Sequence, residues 1–201
     1  MVLIFFCVSG VLGAIGRHPS ITTREGAPAA TRSLESDVRL FAETIESFPG
    51  ALVAVGNDWP LVHNLPFLRE ACASFRHRIV NSVRLVSETK EESILAFMEP
   101  RCEPYAVVTS PDFEFSDVTA GMRVDVGFET GFNEKAADRL RTLLEGFGEA
   151  AKRPASGEEV LSATVNNPLV QRLQGHLAQL RPPNYLNGQR KFVERLYARR
   201  A

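Results

Sequence analysis

Residues 51–75 read Ala-Leu-Val-Ala-Val-Gly-Asn-Asp-Trp-Pro-Leu-Val-His-Asn-Leu-Pro-Phe-Leu-Arg-Glu-Ala-Cys-Ala-Ser-Phe. The unbroken apolar run Ala51–Val55 has strand length and suits a central strand covered on both faces. Gly56-Asn57-Asp58 closes it. From Pro66 the spacing predicts a helix whose stripe holds Phe67, Leu68, Ala71, Cys72 and Phe75. Upstream, Val38, Leu40, Phe41, Ile45 and Phe48 recur at helical spacing, and Pro49-Gly50 ends that helix. Downstream, Ile79–Leu85 reads as a strand, Glu91–Met98 as a short helix and Tyr105–Thr109 as a further strand. Ser110-Pro111-Asp112 is a turn, Phe113–Phe115 begins a strand, and Val124–Phe128 alternates as a half-buried strand should. Asn133 is placed to cap a helix carrying Ala136, Ala137, Leu140, Leu143, Leu144 and Phe147. The predicted order is αβαβαββα.

Within that order particular residues resemble the thioredoxin superfamily. Trp59 resembles the tryptophan before that family's active-site motif. Residues 66–75 are similar to its second helix, including a kinking proline. Glu103-Pro104-Tyr-Ala-Val-Val108 is similar to the segment in which a cis-proline introduces the strand beside the active site. The resemblance spans about residues 37–150. It implies an α/β fold with a central mixed sheet flanked by helices and a C-terminal helical extension; another α/β or α+β sandwich is the alternative.

The chemistry departs from the family. Pro60-Leu61-Val62-His63 stands where the redox Cys-x-x-Cys would be. Thiol–disulfide exchange needs an attacking thiolate and a resolving thiol, and neither proline nor histidine supplies one. The resemblance therefore implies a redox-inactive member, with Trp59, Pro60, His63 and Pro104 as a degenerate active-site region. Cys102, two residues before Pro104, is the candidate reactive thiol, and Cys72 belongs to an apolar helix stripe. His63 at a helix start is read as a surface polar residue, with anion binding as the alternative. His18, His77 and His176 have no partners at metal-ligand spacing, and no phosphate-loop, dinucleotide or nucleophile-elbow motif is present, so neither a metal nor a cofactor is expected.

The 201 residues, 44% hydrophobic and 23% charged, suffice for one ordinary domain with extensions. A formal charge of −1 gives no overall reason to bind nucleic acid. Met1–Gly16 carries no charged side chain and reads as an apolar leader, either a signal peptide or a short membrane anchor or organellar presequence, with a buried apolar segment as the third reading. Residues 17–35 read as a linker, 36–150 as the thioredoxin-like domain and 151–201 as a helical extension. From Arg181 onward the tail has six basic residues and one acid. Leu173, Leu177, Phe192 and Leu196 lie on two helices too short to stand alone, and are the candidate partner-docking residues.

These features lead to two expectations. The first is a non-catalytic binding or scaffold protein in the secretory pathway, lumenal or secreted, or else in a mitochondrion or plastid, working as a folding-factor-type module or as an accessory subunit of a membrane complex. Its partners would be proteins. The second is a single-cysteine thiol or peroxide-handling enzyme using Cys102.

Overall fold

Successive residues of Val2–Phe6 face opposite layers of the protein, and this strand, β1, organises the fold. Val2, Ile4 and Phe6 enter one apolar cluster; Met1, Leu3, Phe5 and Cys7 enter the other. In a computed structural model the described residues are 1–7, 34–56, 60, 63–83, 88–110, 114–127 and 130–166. They form β1, α1 (Leu34–Glu46), β2 (Ala51–Val55), α2 (Leu65–Ala71), a 3-10 segment (Ala73–Arg78), β3 (Ile79–Ser82), α3 (Lys90–Met98), β4 (Tyr105–Thr109), a second 3-10 segment (Asp117–Met122), β5 (Arg123–Asp125), α4 (Glu134–Gly146), α5 (Glu149–Lys152) and α6 (Gly157–Ala163).

The strands make one five-stranded sheet in the order β3-β2-β1-β4-β5, and all four pairings are parallel. A parallel sheet with helices on both faces buries its central strands completely, which is why β1 and β2 are continuous apolar runs. On one face α1, α2 and α4 contribute Phe41, Ile45, Leu68, Leu140 and Leu144 around Phe6 and Phe75. Phe41 is its aromatic hub, with edge-on contacts to Phe6, Phe75 and Phe132 at ring separations of 4.9, 5.0 and 5.4 Å. On the other face α3 brings Ile94 and Phe97 against Leu3 and Phe5. Each fully buried large side chain contributes about 1.5–3 kcal/mol relative to exposure.

Several sequence expectations are corrected here. The apolar leader assigned to residues 1–16 contains the central strand: of the readings of that stretch, a buried apolar segment describes Met1–Cys7, whose seven residues are all buried. Residues 8–33 lie outside the described residues, and with them most of the 17–35 linker. The mixed sheet is replaced by a wholly parallel one, because β4 and β5 are joined by a crossover through the second 3-10 segment instead of a hairpin. Of the strand expected at 113–115, Phe113 lies outside the described residues and none forms at 114–115; of that expected over 124–128, Phe128 lies outside them and the described part is β5, Arg123–Asp125. The helix expected over 66–75 ends at Ala71 and continues as 3-10 turns. The compact unit runs from Met1 to Asn166, so α6, assigned to the extension, and α5, which straddles the boundary drawn at 150, pack on the sheet domain.

The tie to α5 and α6 is polar as well as apolar. The Gly50 amide donates to the Ala151 carbonyl at 2.8 Å, and a β-carbon at Gly50 would lie 2.2 Å from the Ala150 carbonyl oxygen, so only glycine permits this approach. Arg101, its side chain buried and its guanidinium 4.2 Å over the Phe97 ring, donates to the carbonyls of Ser162 and Val165. Asn81 donates to the Ala163 carbonyl at 2.9 Å. These donors add to the Val165 amide, which reaches the Ser162 carbonyl at 3.4 Å, in satisfying carbonyls at the end of α6 and just beyond it. Glu159 closes a capping box with Ser156 at the other end and accepts from Arg153 and from the Met1 ammonium.

Candidate functional site

In an open parallel α/β sheet the connections on either side of a reversal in strand order diverge, and they leave a crevice outside the carboxyl ends of the two strands. Here the reversal falls between β1 and β4. α1 and α2 cover one face of the sheet while α3, which carries the chain from β3 across to β4, covers the other. The described residues at the carboxyl ends of these strands are Cys7 after β1 and Thr109 and Ser110 at β4, with Gly56 after the neighbouring β2.

The hydrogen-bond ladder positions this rim by continuing one residue beyond the strands. Gly56 donates its amide to the Phe6 carbonyl at 2.9 Å, Cys7 to Val108 at 2.8 Å, Val83 to Val55 at 2.8 Å and Val126 to Thr109 at 2.8 Å. The register Phe6↔Val108 sets Cys7 opposite Thr109 one step further on, on the face that α3 covers. Both are buried, at 3% and 1% exposure, while Ser110 is half-buried. Thr109 donates its hydroxyl to the Ser110 carbonyl at 3.1 Å. A β-carbon at Gly56 would stand 2.7 Å from the Cys7 sulfur, so the absence of a side chain at 56 makes room for the thiol.

A carboxylate cluster beside this rim fixes the crossover that leaves β4. Glu91, in the first turn of α3 and 7% exposed, accepts from the Thr119 hydroxyl at 2.5 Å and from the Ser116 amide at 2.9 Å. Burial pushes its carboxyl up, but those hydrogen bonds outweigh burial and hold it below the ordinary value. Glu114 accepts from the Lys90 amide at 3.0 Å and pairs with its ammonium at 2.9 Å. Both carboxylates are thus spent on anchoring the segment 114–119 to α3. The rim itself offers a thiol, two hydroxyls and backbone groups; among the described residues it holds no carboxylate, imidazole or ammonium.

The residues of the degenerate active-site region are not brought together. Pro60 and His63 follow the carboxyl end of β2, whereas Cys102 and Pro104 precede the amino end of β4. Because both strands run parallel to β1, these positions lie at opposite edges of the sheet, about 16 Å apart for five residues at about 3.3 Å each. No cis peptide occurs among the described residues, so Pro104 is trans. Trp59 lies outside the described residues, as do Leu61 and Val62 and the docking residues Leu173, Leu177, Phe192 and Leu196. His63 stacks on Phe67 with ring centroids 4.4 Å apart. Cys102 is exposed; Cys72 is fully buried, and burial pushes its thiol up to about 12. Among the described residues no group of three or more His, Cys, Asp or Glu side chains is placed to hold a metal ion.

Sequence reasoning missed Cys7, Gly56, Thr109 and Ser110. The signal was present at Met1–Cys7: an apolar run of strand length followed by Ser9-Gly10, the same grammar that identified Ala51–Gly56. Comparison of the chain with protein-family models, curated proteins and solved structures finds no match to any of them.

Proposed function

We propose that this protein is a non-catalytic α/β binding module that receives a protein partner at the carboxyl edge of its parallel sheet, between β1 and β4. The single observation that supports it is the composition of that rim. Where a sheet of this kind presents its ligand, the described side chains are Cys7 and Thr109, both buried, and the half-buried Ser110. Hydroxyls and backbone groups of this kind donate and accept the hydrogen bonds by which a partner is recognised.

The thioredoxin-like reading contributes the class, helices packed on an α/β sheet, and the residues quoted for it at 59–75 and 103–108. The parallel sense of every strand and the separation of His63 from Pro104 count against carrying over that family's site. With Val2–Phe6 at the centre of the sheet, the apolar start of the chain ceases to argue for a secretory or organellar destination.

The test is purification of the native protein with its partners, alongside a Ser110→Arg variant that sets a long cation at the half-buried end of β4. A stoichiometric partner kept by the native chain and lost by the variant, with unchanged urea unfolding, is the expected result. A partner held equally by both moves the docking surface off this edge. Turnover of a small substrate by the native chain ends the non-catalytic reading.

A second reading rests on the exposure of Cys102, the accessible thiol among the described cysteines. It makes the protein a single-thiol enzyme, and it requires that Cys102→Ser abolish a glutathione- or peroxide-dependent activity that Cys72→Ser leaves intact.

A further inference from the structure

We propose that a cleft beside β5 binds the phosphate group of a phosphorylated small molecule. The cleft has a volume of about 440 Å³ and is lined by Arg123 and Asp125 of β5, Thr130 and Asn133 of the following loop, and Lys135 and Arg139 of α4. That volume falls in the range of small-molecule sites, about 300–1,000 Å³. Among the described lining residues three cations meet one carboxylate. The surroundings make this concentration notable: seven basic residues and one acid lie beyond Asn166, so of the formal −1 the remainder of the chain carries −7.

The cations are arranged by contacts that do not consume them. Arg123 donates Nε to Asp125 at 2.7 Å and Nη1 to the Ser116 carbonyl at 2.7 Å, which neutralises the Asp125 carboxylate and fixes the guanidinium plane. Arg139 donates Nη2 to the Gly121 carbonyl at 3.0 Å. A guanidinium has five N–H donors, so each keeps donors for a ligand. Lys135 is exposed and makes no hydrogen bond or ion pair with the described residues. Asn133 already caps α4, its side chain accepting from the Ala136 amide at 3.1 Å. Recognition therefore falls to the side-chain cations. Two held guanidiniums and an ammonium around one opening suit a multiply charged, multidentate acceptor, which phosphate is and a single carboxylate is not.

The cleft lies one strand beyond the β1/β4 edge, and its occupancy does not depend on the binding function proposed above. The test is calorimetric titration of the full chain at low salt with inorganic phosphate, ribose 5-phosphate and ribose. The expected result is binding of the two phosphate-bearing probes, absence of heat with ribose, and affinity that falls as salt is raised. Lys135→Gln and Arg139→Gln, both on the exposed face of α4, each weaken binding about tenfold with an unchanged urea midpoint. Lack of saturable binding of either phosphate probe, equal binding of ribose and ribose 5-phosphate, or undiminished affinity in the doubly substituted protein overturns the proposal.

Discussion

A β-carbon added at Gly56 would stand 2.7 Å from the Cys7 sulfur, with the Ile94 side chain 4.0 Å away. That makes Gly56→Ala a direct probe of the junction between β1 and β2 at the rim. Gly56 is not among the described glycines with positive φ, which are Gly131 and Gly148, so alanine there meets no backbone strain. At a strain-free site the substitution would stabilise by about 0.4–1 kcal/mol through the unfolded chain. The steric clash reverses that sign. Cys7 is 3% exposed and cannot swing into solvent, so the overlap has to be absorbed by the core, at about 1–3 kcal/mol. Cys7→Ala removes the sulfur and costs about 1–2 kcal/mol for the space left behind. In the double variant the new methyl occupies part of that space, and the two losses should fall short of additive by about 1–2 kcal/mol. Urea unfolding followed by circular dichroism measures this; with a slope of about 2 kcal/mol/M, a loss of 2 kcal/mol lowers the midpoint by about 1 M. Additivity within about 0.5 kcal/mol would refute the reasoning, because it would mean that Cys7 and Gly56 are not in contact and that β1 does not lie beside β2 as described.

Other expected outcomes follow from particular contacts. Ile4→Ala, at the centre of the sheet and 0% exposed, should cost about 2–5 kcal/mol in urea unfolding, and a change under 1 kcal/mol would place residues 2–6 outside the core. Glu91→Gln should destabilise the protein by about 1.5–3 kcal/mol at pH 7. Because the folded-state pKa of Glu91 is depressed, its stabilisation is fully present above the unfolded carboxyl value and is lost as pH falls through the folded one, so the gap between wild type and variant should close in acid. Unfolding curves at stepwise lower pH give the answer, and a gap that widens in acid contradicts the sign. Arg101→Met should raise hydrogen-exchange rates in α6 while leaving those of β1 unchanged, since it removes the donors to Ser162 and Val165. A thiol reagent on the native protein should label Cys102 and spare Cys72, whose thiol is buried and pushed up to about 12, and mass spectrometry of the digest reads both sites.

Much of the local structure was legible in the sequence because its causes are local. Asn133 caps α4 as its position suggested, Pro49-Gly50 follows the end of α1, and Ala51–Val55 and Tyr105–Thr109 are buried strands. The α/β class was legible for the same reason. Met1–Cys7 was misread because an apolar run at the start of a chain has the composition of a leader and of a central strand alike, and periodicity does not separate two structures that are both apolar throughout. The candidate site inherited that error: its rim is defined by the end of β1, which the leader reading removed from the fold.

The sequence by itself determined which segments are helix or strand in most of the domain, and it excluded paired-thiol exchange at 60–63, where no sulfur is present. Only the tertiary structure decided the direction of each strand and the order in which they pair. The physical reason is that an apolar pentapeptide pairs equally well with a neighbour running either way; which way depends on the connection packing back onto the sheet, a contact between residues far apart in the chain. That choice of direction put Pro104 and His63 at opposite edges of the sheet and brought Cys7, Gly56 and Thr109 to one rim.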